Sequence, residues 1–186
     1  MILATSCLIL KKSLFLKSDT LYLRALERSD LDFLYALEND VTVWRISNTV
    51  APFSKEVLEQ YLEQAVLDIY ATRQLRLVIC TPDHLPVGAI DLFDFDPLHL
   101  RAGVGIIIRE SYRRQGLAGQ ALQLLLYYCT HYLMLHQLYC SVAADNEASL
   151  ALFQQAGFHT VGKRQQWLRT PQGWLDVVEL QKILPL

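Results

Sequence analysis

Ile106-Ile107-Ile108-Arg109-Glu110-Ser111-Tyr112-Arg113-Arg114-Gln115-Gly116-Leu117-Ala118-Gly119 runs from an apolar strand through a basic turn into a helix. Consecutive β-branched residues are stiff at χ1 and favour extended backbone. After the turn, Ala118, Ala121, Leu122, Leu125, Cys129 and Tyr132 recur at helical spacing, so a helix is expected from Gly116 to about Leu133. A helix start leaves N–H groups unpaired and carries partial positive charge. Gly116 and Ala118 strip side-chain bulk from it, and Arg113 and Arg114 add charge, so the turn suits a pyrophosphate. It has no Gly-Lys-Ser/Thr end, and Gly116 and Gly119 alone do not make a G-x-G-x-x-G fingerprint. A plain helix start after a basic turn would account for the same residues without a ligand.

Working outward, Leu21 to Leu26 alternates as a strand. Ser29 with Asp32 suggests a capping box opening a helix to about Asn39, with Leu31, Leu34 and Leu37 inside. A second helix is expected from Ser54 through Val57, Leu58, Tyr61, Leu62, Ala65, Val66 and Ile69. Strands are expected at Leu75 to Cys80, Val87 to Phe95, Ala102 to Arg109 and Leu138 to Val142. Asn146 caps a helix that Gly157 ends, and Phe158 to Arg169 with Trp174 to Ile183 forms a closing hairpin. The order β-α-α-β-β-β-α-β-α-β-β predicts one α/β (mixed α+β) domain, with a central mixed sheet of about six to seven strands and helices on both faces.

The 186 residues suit one domain, and 52% hydrophobic against 19% charged residues leaves a sizeable core and excludes a disordered chain. A net charge of -2 lacks the basic footprint of a nucleic-acid binder. Cys7, Cys80, Cys129 and Cys140 form no C-x-x-C pair and have no His at ligand spacing, so they read as buried apolar residues in a reducing cytoplasm, with no metal. In the apolar run Met1 to Leu10, Lys11 and Lys12 follow where a secretory signal would put charge first, and the run is too short for a membrane span. Residues 1–18 are therefore read as a disordered or loosely packed extension of a domain at 19–186, and no membrane partner is expected.

Two elements together carry a family likeness. Arg113-Arg114-Gln115-Gly116-Leu117-Ala118 resembles the R/Q-x-x-G-x-G/A loop of the GNAT superfamily of N-acetyltransferases, and Asp145-Asn146-Glu147-Ala148-Ser149 through Gly157-Phe158 resembles its N-x-x-A/S…G-F element. Leu23-Arg24-Ala25-Leu26-Glu27-Arg28-Ser29-Asp30-Leu31 is similar to the opening of the bacterial spermidine and diamine branch. The resemblance implies a GNAT-like domain using acetyl-CoA. Ile106, Ile107 and Ile108 would pair with the pantetheine arm, Arg113, Arg114, Gln115, Gly116, Leu117, Ala118 and Gly119 would hold the pyrophosphate, and Asn146 would contact the coenzyme chain. It also implies a homo-oligomer and a small amine acceptor.

Acetyl transfer to an amine requires an ammonium of pKa roughly 10.4 to lose a proton and a thiolate to leave. Where many family members place a Tyr in the last helix, this chain has Phe153, so Ser149, one turn earlier on the same face, is the substitute donor. Its alternative role is a local cap or coenzyme contact. Asp91, mid-strand among apolar neighbours, is read as substrate ligand or water-mediated base, or else as the partner of an Arg such as Arg101. Glu38 and Asp40 are further carboxylates for a cationic acceptor, and the branch's carboxylate after Arg101-Ala102 is replaced by Gly103. Along that strand Gly88, Ile90, Leu92, Asp94 and Asp96 are expected on one face and Ala89, Asp91, Phe93 and Phe95 on the other, unless a bulge intervenes. Two other functions remain open: protein N-terminal acetylation, a likeness carried by Ser149, and a catalytically silent coenzyme-binding module, motivated by Phe153.

Overall fold

A computed structural model describes residues 16–47, 49–65 and 67–185. Among these residues eight strands form one sheet: β1 (Leu16–Lys17), β2 (Tyr22–Ala25), β3 (Leu75–Cys80), β4 (Pro86–Asp96), β5 (Arg101–Ile108), β6 (Gln137–Ala143), β7 (His159–Thr170) and β8 (Gly173–Ile183). Their order is β1-β2-β3-β4-β5-β6-β8-β7, and β5–β6 is the single parallel neighbour pair among them. Among the described residues six helices accompany it: α1 (Leu31–Glu38), α2 (Val41–Ser47), α3 (Lys55–Gln64), α4 (Ile69–Thr72), α5 (Leu117–His131) and α6 (Glu147–Gln155). The mixed α/β class is as expected, with β1 as the additional strand. β1 falls inside residues 1–18, set apart as an extension; residues 1–15, with Cys7, lie outside the described residues.

The long helix α5 buries Leu117, Ala121, Leu122, Leu125, Leu126 and Cys129 against a core that includes Leu21, Leu23, Leu77, Ile79, Ile90, Leu92 and Val104. Each Leu, Ile or Val side chain taken out of water there contributes roughly 1.5–3 kcal/mol. A smaller cluster (Leu34, Leu58 and Leu62, with Phe53 and Tyr61) joins α1 to α3. α1 and α3 reach the opposite sheet face, because Glu38 and Tyr61 contact Arg76, whose strand neighbour Leu77 belongs to the α5 core.

Four local readings need correction. The first helix does not start on Ser29: a single 3-10 turn, Arg28–Asp30, precedes α1, and Asp30 accepts from the Glu27 N–H at 2.8 Å and from Arg24. The second predicted helix stops at Gln64; α4 is a separate turn capped by Asp68, which accepts from the Tyr70 and Ala71 N–H groups, and Val66 lies outside the described residues. α2 was not foreseen. In β4, Asp94 adopts φ +49 and the register shifts between Phe93 and Asp96, so Phe95 turns into the core alongside Ile90 and Leu92, away from Asp91 and Phe93. Cys80, Cys129 and Cys140 are buried as free thiols, and burial pushes Cys129 and Cys140 up to about 12.

Candidate active site

β5 and β6 pair through Arg101–Gln137, Ala102–Leu138 and Gly103–Tyr139, and no further pairing joins them among the described residues. From there the strands diverge and open a cleft through the sheet. It measures about 490 Å³ and is lined on one side by Val104, Gly105, Ile106 and Ile107, on the other by Cys140 to Ala143. Its walls extend to Asn146, Ser149 and Phe153 of α6, to Trp167 and Leu168 of the hairpin, and to Glu38, Arg76 and Asp91. At Gly103 the Phe93 ring lies where a Cβ would sit, so a side chain there would collide with the ring.

At one end of β5 the chain turns through Glu110–Tyr112 into α5. Arg113 Nε donates to the Ile108 carbonyl at 2.9 Å, folding its side chain back on the strand end. Arg114 (φ +62) and Gly116 (φ +75) take left-handed backbone, the conformation glycine adopts without steric cost. Gly116 is the N-cap of α5 with no side chain capping it, and a Cβ built there meets nothing within 4 Å. Backbone amides at this helix mouth are thus neither side-chain capped nor screened, the requirement for an anion seat. Gln115 Nε2 bonds the Ser111 carbonyl at 3.3 Å, Leu117 is buried in the core, and Gly119 faces Leu152. Ile106 and Ile107 thus line the cleft, and the loop Arg113 to Gly119 follows from the end of the same strand at Ile108. Asn146 caps α6 by accepting from the Ser149 N–H at 3.2 Å, which leaves its amide NH2 on the cleft wall.

The other end of the cleft carries charge. Arg76 Nε and Nη2 donate to Asp91 Oδ1 and Oδ2 at 2.7 and 2.9 Å, and Nη1 donates to Glu38 Oε1 at 2.5 Å. The guanidinium lies 5.5 Å from the Tyr61 ring centroid. The Arg76, Glu38 and Asp91 side chains are only 15%, 11% and 14% exposed. Burial alone would lower the Arg76 pKa, but Asp91, then Tyr61 and Glu38, raise it, so it stays cationic. Burial raises the Tyr61 phenol. The expected Asp91–Arg101 pairing does not form: Arg101 pairs with Asp96 at 3.1 Å. Asp40 caps α2 through the Thr42 hydroxyl and N–H, and these bonds, ahead of Arg113, hold its carboxyl below the usual range.

Phe153 is buried edge-on against Phe158, 5.1 Å between centroids, and supplies no donor. Ser149 lies on the same wall, its hydroxyl without a partner among the described residues. The residue that sequence reading missed is Arg76. Its signal was present, a charge flanked by Leu75 and Leu77, but its meaning depends on the β3–β4 register that sets it opposite Asp91. Trp167 lines the cleft, whereas the exposed Trp174 does not, and Trp44 donates its Nε1–H to the Glu38 carbonyl at 2.8 Å.

No grouping of His, Cys, Asp and Glu able to hold a metal occurs among the described residues, and no helix among them is long and apolar enough to cross a membrane. A model of the acetyltransferase (GNAT) domain family matches residues 20–159. The Escherichia coli (strain K12) spermidine N(1)-acetyltransferase is 31% identical over 145 residues, 76% of this chain and 74% of that protein. The Vibrio cholerae spermidine N-acetyltransferase in complex with CoA and spermine has the same fold, with a TM-score of 0.83 at 24% identity over 90% of this chain and 97% of that one. A dodecameric Vibrio cholerae spermidine N-acetyltransferase, in an intermediate state, gives 0.77 at 26% identity over 90% and 95%.

Proposed function

The chain belongs to the GNAT family of acetyltransferases, and from that premise we propose that it transfers the acetyl group of acetyl-CoA to a primary amine of a small polyamine or diamine. The observation that carries this reading is the cleft between β5 and β6: β5, which lines it, leads into the anion-receptive helix mouth at Gly116, and the cleft itself holds a polar floor bearing net negative charge. Bound acetyl-CoA supplies an acetyl group activated as a thioester. Arg113 to Gly119 hold its diphosphate, Ile106–Ile108 offer backbone groups on the side of β5 turned away from β4, and Asn146 offers its side-chain amide. A β5 N–H at that opening stabilises charge building on the carbonyl oxygen.

Glu38 and Asp91, offset by Arg76 between them, leave the acceptor end with one net negative charge that draws in a cationic amine. The named polyamine activity of the E. coli relative supports the acceptor class, and the dodecameric relative supports a homo-oligomer. The free buried thiols suit the cytoplasm. Turnover is tested by following thiol release from acetyl-CoA across diamines, polyamines, monoamines and a peptide with a free N-terminus. Diamines and polyamines are expected to accelerate release most. A peptide preference points to N-terminal acetylation, and coenzyme binding without release for any amine leaves a silent module.

Ser149 is the donor proposed for the departing thiolate. Ser149→Ala is expected to lower kcat by on the order of a hundredfold, the lower edge of general-acid catalysis. Unchanged kcat at every pH would leave Ser149 a contact at the helix start.

A further inference from the structure

The acceptor floor holds two carboxylates but only one net negative charge, because Arg76 stands between them. The division is unequal. Asp91 gives both oxygens to the guanidinium in a fork-to-fork pair, whereas Glu38 gives one. Glu38 Oε2 has no hydrogen-bond partner among the described residues, and Glu38 lines the cleft. Asp91 stands across the β4–β5 ladder from Gly105, where the cleft opens, so this floor lies next to the diverging strands. The charged or titratable groups facing Arg76 are Glu38 from α1, Tyr61 from α3 and Asp91 from β4.

We propose that Arg76 is a positioning and specificity-determining residue for the amine. It ties up Asp91, leaves Glu38 as the carboxylate that meets the acceptor, and fixes the floor at a single negative charge. This deepens the acetyltransferase reading and rests on it. A floor with two uncompensated carboxylates would bind an ammonium more tightly but hold its proton longer, since nearby negative charge favours the cationic form. A neutral floor would release the proton readily but capture the amine weakly. Arg76 sets the compromise between these two.

The test is a charge ladder read with a four-carbon diamine: Glu38→Gln for a neutral floor, wild type and Arg76→Gln/Asp91→Asn for one negative charge, and Arg76→Gln for two. The double variant removes the buried pair together and so avoids an orphaned charge. Calorimetry is expected to give diamine affinity falling about tenfold for Glu38→Gln and rising for Arg76→Gln. The rising limb of kcat against pH should move about one unit down and up respectively, one unit being a tenfold change in protonation. The double variant should return both readouts toward wild type, which a purely structural role for Arg76 would not do. If Arg76→Gln does not fold, Glu38→Gln and the double variant still decide the matter. Equal affinity and an unmoved limb in Glu38→Gln, or a double variant as impaired as Glu38→Gln, would overturn the assignment. So would diamine binding to none of the proteins. A wild type that binds diamine but turns over no amine overturns the enzymatic reading instead, and the affinity ladder still decides the role of Arg76.

Discussion

Gly116→Val is expected to lower coenzyme A affinity at least a hundredfold, roughly 2.8 kcal/mol, while the chain still folds. The left-handed backbone of Gly116 costs a side-chain-bearing residue about 1–2 kcal/mol. The space around it is open, with no atom within 4 Å of an added Cβ, so the chain is not forced apart. The branched side chain instead stands at the mouth of α5, where a phosphate oxygen must come within hydrogen-bonding distance of the amides. Calorimetric titration with coenzyme A, beside a thermal melt of the free protein, separates the two effects. A melting temperature lowered by several degrees with wild-type affinity would mean that the diphosphate is held elsewhere.

The second large effect concerns stability. Asp30 is 3% exposed and accepts from both Arg24 terminal nitrogens at 2.7 Å and from the Glu27 N–H. Asp30→Asn leaves the half-buried Arg24 without its counter-ion and is expected to cost about 3–5 kcal/mol at neutral pH. The loss must depend on pH in a defined direction. Burial by itself raises the Asp30 pKa, but the bonds from Arg24 and Glu27 outweigh it and lower the folded-state value. The contribution is therefore complete above the unfolded carboxylate pKa of roughly 3.9 and vanishes as pH falls through the lower folded value. Urea unfolding at pH 7 and near pH 3 should show the gap between wild type and variant narrowing with acid. A gap constant across that range would remove the ion pair as its cause.

Much of this architecture was legible from periodicity. The α5 stripe, the strands on either side of it and the Asn146 and Gly157 boundaries of α6 each follow from local residues, since caps and apolar spacing act within a few positions. Gly157 takes φ +86 as a C-terminal glycine should. What local signals could not supply was register. The Asp94 bulge turns Phe95 inward, and the β3–β4 alignment gives Asp91 to Arg76 rather than Arg101. The first helix start was misplaced because Asp30 serves Arg24 and the Glu27 amide, a tertiary demand that the Ser29–Asp32 spacing does not contain. At the site, the basic turn into α5 was readable because it is contiguous, while the charged end of the cleft is assembled from α1, α3, β3 and β4.

The parting of β5 from β6 also bears on how the chain survives as a protein. Strands that diverge in mid-sheet forgo rungs that the β4–β5 and β6–β8 pairs keep, so the sheet is less tied along the line where chemistry is to occur. Any molecule that adds its own backbone-like groups along that line acts as a splint. At a hundred times its dissociation constant such a splint would contribute about 2.7 kcal/mol, comparable to burying one large apolar side chain. Supply of the acyl donor would then govern both the turnover of this enzyme and its lifetime against proteases.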